Sequence, residues 1–146
     1  MTLIATDVQS LSQDAVVTMF ELDASRIGEG VMLFSPTSIG GAPIVFGGKS
    51  YQPFPIKADG FEWSGSGTLP RPTLTLASKD LMFLAMVVNS GDLVGCPVTR
   101  LRTYRKYLDD GATPNSQALF QPDYYVIERK TSQKRTLLQF ELSVKM

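Results

Sequence analysis

The 146-residue chain contains no histidine and a single cysteine, Cys96. The lack of histidine removes the most common general base, the usual physiological pH switch and the most frequent metal ligand. One thiol cannot form an internal disulfide or a cysteine cluster for zinc or iron. Because no imidazole is present to activate Cys96, we interpret it as a small buried hydrophobic residue. These absences predict a protein without cofactor, metal or enzymatic activity.

Charged residues and long apolar runs are also scarce. Charged residues make up 19% of the chain, against roughly 25% in a typical soluble domain. The longest apolar run, at 81–88, is far shorter than the roughly 20 residues of a membrane span. The N-terminus lacks the basic start and apolar stretch of a signal peptide. We therefore expect no membrane span, and synthesis in a reducing cytoplasm.

Acidic and basic residues balance at 14 each, but they are unevenly distributed along the chain. Residues 1–96 carry five basic and nine acidic side chains, whereas residues 97–146 carry nine basic and five acidic ones. If the fold separates these regions, a negative surface of one copy can meet a positive surface of the next, as head-to-tail contacts in a ring require. If the charges interleave on one surface, no such contact follows.

Short segments with period-two alternation predict a β-rich fold. The predicted strands are 15–22, 31–34, a hairpin at 44–51, 61–63, 72–76, 98–107, 124–129 and 137–144. Gly47 and Gly48 fit a tight hairpin turn in which both residues need a positive φ, and the prolines in 52–56 exclude a central strand there. We expect one domain over 1–146, mainly β, arranged as an antiparallel barrel or sandwich of about eight to ten short strands.

Two segments predict helical structure. Ser78 is a favourable N-cap and Gly91 a favourable stop, which predicts one short helix at about 79–89. Apolar residues cover nearly the whole circumference of that helix, so we expect it to be buried on more than one side. Residues 1–13 predict either a short amphipathic helix or an N-terminal arm.

No motif predicts catalysis. Asp59 and Glu62 are close in sequence, but acid–base work needs two carboxylates that converge in space, with a raised pKa on one of them. Gly60, Gly65 and Gly67 are not a phosphate-binding loop, because no Lys-Ser pair and no helix follow them. We therefore assign no catalytic, cofactor-binding or metal-binding residues.

Basic and aromatic residues alternate along 98–107. Arg100, Arg102, Tyr104 and Lys106 fall on one face of the predicted strand and Arg105 on the other. Such residues could follow a nucleic-acid backbone, but the absence of net charge favours a solvated face or an ion-paired protein interface. The candidate interface residues are Arg100, Arg102, Tyr104, Arg105, Lys106, Lys130, Lys134 and Arg135.

Two segments carry a family signature. The first is Tyr51-Gln52-Pro53-Phe54-Pro55-Ile56 with the glycines and the Arg-Pro-Thr that follow, and the second is Leu93-Val94-Gly95 with Val98, Arg100 and 104–109. The signature residues expected to be structural are Tyr51, Pro53, Pro55, Gly60, Phe61, Glu62, Gly65, Gly67, Arg71, Pro72 and Thr73. From about Val16 to Val144 the chain resembles the minor tail protein L family of lambda-like siphophages.

The resemblance implies a structural protein of the bacteriophage tail tip or baseplate. It would form a ring between the distal tail ring and the central hub, with a β-barrel core of the tail tube and hub type. The ring, a trimer or a pseudo-hexamer, would line the channel for the tape measure protein and DNA. The implied partners are the distal tail ring protein, the central hub or receptor-binding protein, the tape measure protein and, transiently, DNA. The implied location is the virion, after synthesis in the bacterial cytoplasm.

Family members are similar in continuing into a cysteine-rich region that holds an iron–sulfur cluster. With Cys96 alone, no cluster ligand can be assigned to this chain. We therefore expect either a naturally short relative or the ring-forming N-terminal domain of a longer protein.

Two alternative functions remain. A nucleic-acid-binding β-barrel predicts salt-dependent DNA affinity that is lost when Arg100, Arg102 and Arg105 are neutralised. A tail-associated hydrolase predicts peptidoglycan turnover that Glu62→Gln abolishes.

Overall fold

The structure, a computed structural model, describes residues 12–25, 28, 30–37, 41–54, 56–59, 71–77, 91–134 and 137–144. The strands are β1 Val16–Asp23, β2 Val31–Ser35, β3 Ile44–Phe46, β4 Lys49–Pro53, β5 Ile56–Asp59, β6 Thr73–Ala77, β7 Pro97–Tyr104, β8 Asp123–Lys134 and β9 Leu137–Val144. Short 3-10 turns lie at Gly91–Leu93 and Arg105–Tyr107. The prediction of a mainly β protein is confirmed.

The described strands are hydrogen-bonded in the order β3-β4-β2-β1-β7-β8-β9-β6-β5. β3 and β5 end this order, so the described strands do not form a closed barrel. β2 and β4 pair in parallel, with Phe34 opposite Gln52, so the expectation of a purely antiparallel sheet is wrong for this pair. The chain passes through β3 between them, and the β3–β4 hairpin returns β4 to the direction of β2. Alternation along the sequence does not reveal the direction of strand pairing.

The chain divides into two compact units. Unit 1 is drawn from Met1–Glu21, Leu33–Pro53 and Arg100–Asp123, and unit 2 from Leu22–Met32, Phe54–Thr99 and Tyr124–Met146. The single domain expected over 1–146 remains a prediction.

β3 and β4 form the hairpin that the glycine pair predicts. Gly47 and Gly48 have φ values of 61° and 78°, a left-handed conformation that costs residues with a Cβ about 1–2 kcal/mol. Phe46 lies opposite Lys49 across the two-residue turn. β4 lies between β3 and β2 in the strand order, so the exclusion of a central strand at 52–56 is wrong for Gln52 and Pro53. Pro53 is the last residue of β4.

Unit 1 has a core of six buried apolar side chains from β1, the β3–β4 hairpin and the segment after β7. They are Val17, Met19, Ile44, Phe46, Tyr51 and Leu108. Val17 and Met19 stand two residues apart on β1, and both are fully buried. Burial of each large apolar side chain stabilises the fold by about 1.5–3 kcal/mol, so this cluster fixes the hairpin on β1.

Unit 2 contains the antiparallel ladder β5-β6-β9-β8. Its buried side chains alternate along β6 and β9, at Leu74, Leu76, Leu138, Phe140 and Leu142. The predicted C-terminal hairpin is confirmed, but β8 runs on through Lys134 instead of ending at 129. Two register shifts interrupt β8, one between Ile127 and Arg129 and one within the extension, between Lys130 and Ser132, as expected where a bulge lets a polar strand stay in the ladder.

Several predicted elements lie outside the described residues. They are the helix at 79–89, the strand at 61–63 and residues 1–11 of the possible arm. Among the described residues, β6 pairs antiparallel with β5. No helix in the described part of the chain is long and apolar enough to cross a membrane.

Candidate assembly surface

Five basic and aromatic side chains form a connected cluster in unit 1, named here the β7 patch. Its members are Arg102, Tyr104, Lys106, Tyr107 and Phe120. The Tyr104 ring packs edge-on against Phe120, with centroids 5.2 Å apart, and against Tyr107 at 6.2 Å. Arg102 Cζ lies 5.4 Å from the Phe120 centroid. Lys106 Nζ lies 5.4 Å from the Tyr104 centroid and 5.3 Å from that of Tyr107, so every ring of the patch carries a cation.

The loop after β7 holds Phe120 in this cluster. Phe120 N donates to Arg102 O at 3.0 Å, and Thr103 Oγ1 donates to Ala118 O at 2.5 Å. Thr103 is buried, so this bond gives its hydroxyl the partner that a buried polar group needs. These bonds place an aromatic ring beside the arginine without secondary structure in the loop.

The predicted strand at 98–107 is shorter than expected. β7 ends at Tyr104, and Leu108 N returns to Arg105 O at 3.2 Å to close a 3-10 turn. Arg100, Arg102 and Tyr104 keep the period-two spacing of β7, whereas Lys106 lies on the turn. Alternation does not detect this change, because a single 3-10 turn is too short to alter the pattern.

Arg100 is bound within unit 1. Its Nε and Nη2 both lie 2.8 Å from Asp123 Oδ2, and the two side chains are only 15% and 21% exposed. Charge-assisted hydrogen bonds of this kind are about twice as strong as neutral ones. This geometry gives Arg100 a structural partner in its own chain.

Arg102 is less well satisfied. Its Nη2 is 3.9 Å from the same Asp123 Oδ2, and its buried Nε has no hydrogen-bond partner among the described residues. The side chain is 33% exposed. Arg102 therefore has a partly exposed guanidinium that its own chain binds only loosely.

Arg105 is buried, with its side chain 9% exposed, and its Nη1 lies 3.1 Å from Asp110 Oδ1. The adjacent backbone is tightly packed, because a Cβ added at Gly111 would lie 2.5 Å from the carbonyl oxygens of both Arg105 and Lys106. Arg105 lies on the 3-10 turn after β7, so the predicted strand face does not apply to it. This position gives the side chain a role inside unit 1.

The other predicted interface residues belong to unit 2. Lys130 donates to Gln133 on β8, Lys134 is exposed at the end of that strand, and Arg135 lies outside the described residues. Their part in an interface remains a prediction.

Two further contacts of unit 1 stabilise the β3–β4 hairpin. Asp109 Oδ1 and Oδ2 accept hydrogen bonds from Gly47 N at 2.8 Å and Gly48 N at 2.9 Å. Tyr51 Oη donates to Glu21 Oε2 at 2.6 Å. A pocket of about 270 Å³ adjoins Glu21 and is lined by the hairpin and the loop at 116–119.

The described signature residues have structural positions. Tyr51 is a core residue, Pro53 ends β4, and Pro72 is buried, with its carbonyl accepting Leu142 N at 2.8 Å. Arg71 Nη1 lies 3.3 Å from Glu141, and Thr73 opens β6 opposite Glu141. The others lie outside the described residues: Pro55, Gly60, Phe61, Glu62, Gly65 and Gly67.

The sequence did not identify Asp123, Phe120 or Asp109 as functional or structural partners. Each of them contacts a residue at least 15 positions away in the sequence. The local sequence pattern therefore gives no direct signal for these contacts. An antiparallel alignment of β7 with β8 would have placed Asp123 near Arg100. Within the described residues, no group of three or more Cys, Asp or Glu side chains could hold a metal ion.

Comparison with known proteins identifies the family. The family model for phage minor tail protein L matches residues 25–146. The chain is 35% identical over 118 residues to tail tip protein L of Escherichia phage lambda, covering 80% of this chain and 51% of the lambda protein. The chain thus spans about half the length of that relative. These matches confirm the resemblance carried by the signature residues, and the chain belongs to the phage minor tail protein L family.

Proposed function

We propose that this protein is a structural component of a bacteriophage tail tip. The observation that carries the proposal is the family match over residues 25–146. The relative from phage lambda bears the name tail tip protein L, and the extensive β-sheet of the described residues suits a protein that acts by contact surface.

The proposal includes a position in the particle. The chain forms a ring between the distal tail ring protein and the central hub or receptor-binding protein, as a trimer or a pseudo-hexamer of the tail tube and hub type. The ring lines the channel through which the tape measure protein and then DNA pass. The protein is made in the host cytoplasm and ends in the virion.

The proposed mechanism is non-enzymatic. Strands and loops present fixed side chains to neighbouring proteins, and the β7 patch is one such surface. Arg100 and Arg105 are neutralised by Asp123 and Asp110 within the chain, which leaves fewer cations for a nucleic-acid backbone and favours assembly over DNA binding.

A gene disruption tests the proposal. A phage carrying a stop codon in this gene, grown without and with a plasmid copy of the full chain, is examined by plaque titre and negative-stain electron microscopy. We expect particles with absent or unfinished tails without the plasmid, and normal tails and titre with it. Normal infectious particles without the plasmid would contradict the proposal.

Biochemical assays of the purified chain distinguish the alternatives. Peptidoglycan turnover that is lost in Glu62→Gln would support a hydrolase. DNA affinity that falls steeply with salt, and is lost when Arg100, Arg102 and Arg105 are neutralised, would support nucleic-acid binding. The proposed function predicts no signal in either assay.

A further inference from the structure

We infer that the β7 patch is a docking surface for an acidic segment of a neighbouring protein, and that Arg102 receives a carboxylate of that segment. The inference rests on the proposed function, which places other tail proteins around this chain. It adds the chemistry of the partner and the residue that binds it.

Asp123 is shared unequally between Arg100 and Arg102. Asp123 Oδ2 lies 2.8 Å from two nitrogens of Arg100 but 3.9 Å from Arg102 Nη2. The buried Nε of Arg102 has no hydrogen-bond partner among the described residues. A buried donor without a partner is costly, and a planar guanidinium matches a carboxylate in a bidentate manner. Because the Arg102 side chain is 33% exposed and its contact with Asp123 is long, an incoming carboxylate can bind the exposed part of its guanidinium.

Both cations of the β7 patch pack against aromatic rings. Arg102 lies over Phe120 and Lys106 over both tyrosines, and the rings contact one another. Aromatic and arginine side chains are enriched at protein interfaces, where a large contact area is combined with a polar end. Because the rings hold the cations in place, less side-chain entropy is lost when a partner binds.

Lys106 is paired with an exposed carboxylate. Its Nζ lies 3.3 Å from Asp14, whose side chain is 81% exposed. An ion pair with so exposed a carboxylate contributes little to stability. A carboxylate from a partner can therefore replace Asp14 at small cost, which makes Lys106 a second cation available to the acidic segment.

An acidic protein segment fits this surface better than nucleic acid does. Proteins that bind single-stranded nucleic acid stack its bases on aromatic side chains along a continuous basic groove. Here the rings already carry Arg102 and Lys106, and the neighbouring Arg100 and Arg105 are paired within the chain. The chain also has no net charge to attract a polyanion.

Charge reversal in the intact phage tests the inference. The variants are Arg102→Glu and Lys106→Glu, and the matched control is Arg129→Glu, in which an exposed arginine of unit 2 paired with Glu141 is reversed. Plaque titre is measured, and thermal unfolding of each purified variant verifies that it folds. We expect the titre to fall about tenfold or more for both β7-patch variants and to stay near wild type for the control, because like charges across an interface suppress association.

Suppressor mutations then identify the partner chemistry. Revertants of folded Arg102→Glu or Lys106→Glu should replace an acidic residue in another tail protein with a neutral or basic one. If Arg102→Glu does not fold, the titre of Lys106→Glu alone tests the inference, because Lys106 Nζ contacts only the largely exposed Asp14 among the carboxylates of the described residues. Unchanged titre in a folded variant, or suppressors confined to this chain, would overturn the inference.

Two outcomes separate this inference from the proposed function and from nucleic-acid binding. If disruption of the gene abolishes tails but both reversals assemble normally, the inference fails and the proposed function stands. If the purified chain binds a single-stranded DNA oligonucleotide, with an affinity that Arg102→Glu lowers about tenfold or more, the patch is a nucleic-acid site and the inference is overturned.

Discussion

The phenol of Tyr51 donates a 2.6 Å hydrogen bond to Glu21 Oε2, joining the β3–β4 hairpin to β1 inside unit 1. Tyr51 is 1% exposed. Burial, reinforced by the hydrogen bond to Glu21 and by its negative charge, raises the pKa of the Tyr51 phenol well above its ordinary value of 10.0. The folded protein therefore keeps this phenol protonated at a pH where the unfolded chain has lost the proton.

The first prediction follows from this linkage. Because the folded-state pKa of Tyr51 is raised, its contribution to stability is fully present below pH 10 and is lost as the pH rises further. We expect the free energy of unfolding to fall above about pH 10, by up to about 1.4 kcal/mol per pH unit from this group. Urea unfolding between pH 8 and 11 measures it.

Tyr51→Phe and Tyr124→Phe provide the matched comparison, since Tyr124 is 52% exposed. Tyr51→Phe should lower the free energy of unfolding by about 1–2 kcal/mol at pH 7, because Glu21 loses a hydrogen-bond donor. It should also reduce the fall of that free energy above pH 10. Tyr124→Phe should do neither. If the free energy of unfolding fell equally above pH 10 in wild type and in Tyr51→Phe, the assignment of this loss to Tyr51 would be contradicted.

The second prediction concerns Asp109, which accepts hydrogen bonds from Gly47 N and Gly48 N with its two carboxylate oxygens. Asp109→Ala should lower the free energy of unfolding by about 1–3 kcal/mol, as expected for bonds to a charged group. Asp109→Asn should lose less, since the amide keeps one oxygen acceptor. Asp14→Ala, which removes a largely exposed carboxylate, is the control and should stay within about 0.5 kcal/mol of wild type.

The third prediction is that Gly111→Ala is strongly destabilising. The added methyl group would lie 2.5 Å from two backbone carbonyl oxygens, so the loop after β7 would have to move. We expect a loss of about 3 kcal/mol. Gly28→Ala, where the space is open but φ is +86°, should cost only about 1 kcal/mol. Thermal unfolding of the two variants measures both losses. If Gly111→Ala lost no more stability than Gly28→Ala, the prediction would be wrong, and the loop after β7 would be able to move away from the added methyl group at little cost.

The fourth prediction compares two carboxylates that each bind two arginines. Asp123→Asn should cost about 1.5–3 kcal/mol, because Arg100 is mostly buried and loses a charged acceptor. Glu141→Gln should cost less than about 1 kcal/mol, because Arg71 and Arg129 are 66% and 65% exposed.

A double-mutant cycle of Arg100→Gln with Asp123→Asn should give a coupling of about 1 kcal/mol or more. Additive losses in that cycle would show that the close contact carries little net energy.

Local sequence features predicted the parts of the fold that depend on neighbouring residues. The Gly47-Gly48 turn was predictable because a glycine pair readily takes the positive φ that a type I′ hairpin turn needs at both positions, and both values are positive. Alternation found β9 because its buried side chains stand two residues apart. It also found β1 as a strand, although Met19 and Phe20 are adjacent and both buried, which alternation does not predict.

Contacts between distant segments were not predictable in the same way. The parallel pairing of β2 with β4 depends on the path of the chain between them. The bonds from Gly47 and Gly48 to Asp109 join segments about 60 residues apart. The basic residues of the candidate surface were identified from the sequence, but not that Asp123 and Asp110 neutralise Arg100 and Arg105. That division among the arginines decides which of them remains available to a partner.

The central claim is that this chain acts as an assembled part of a phage tail tip. The most direct measurement is cryo-electron microscopy of the purified virion that encodes it, with the chain located in the map. We expect density for the described strands at the tail tip, in a ring on the tail axis with the β7 patch facing a neighbouring protein. Virions that lack the chain, with the protein found only in host cytosol, would contradict the account.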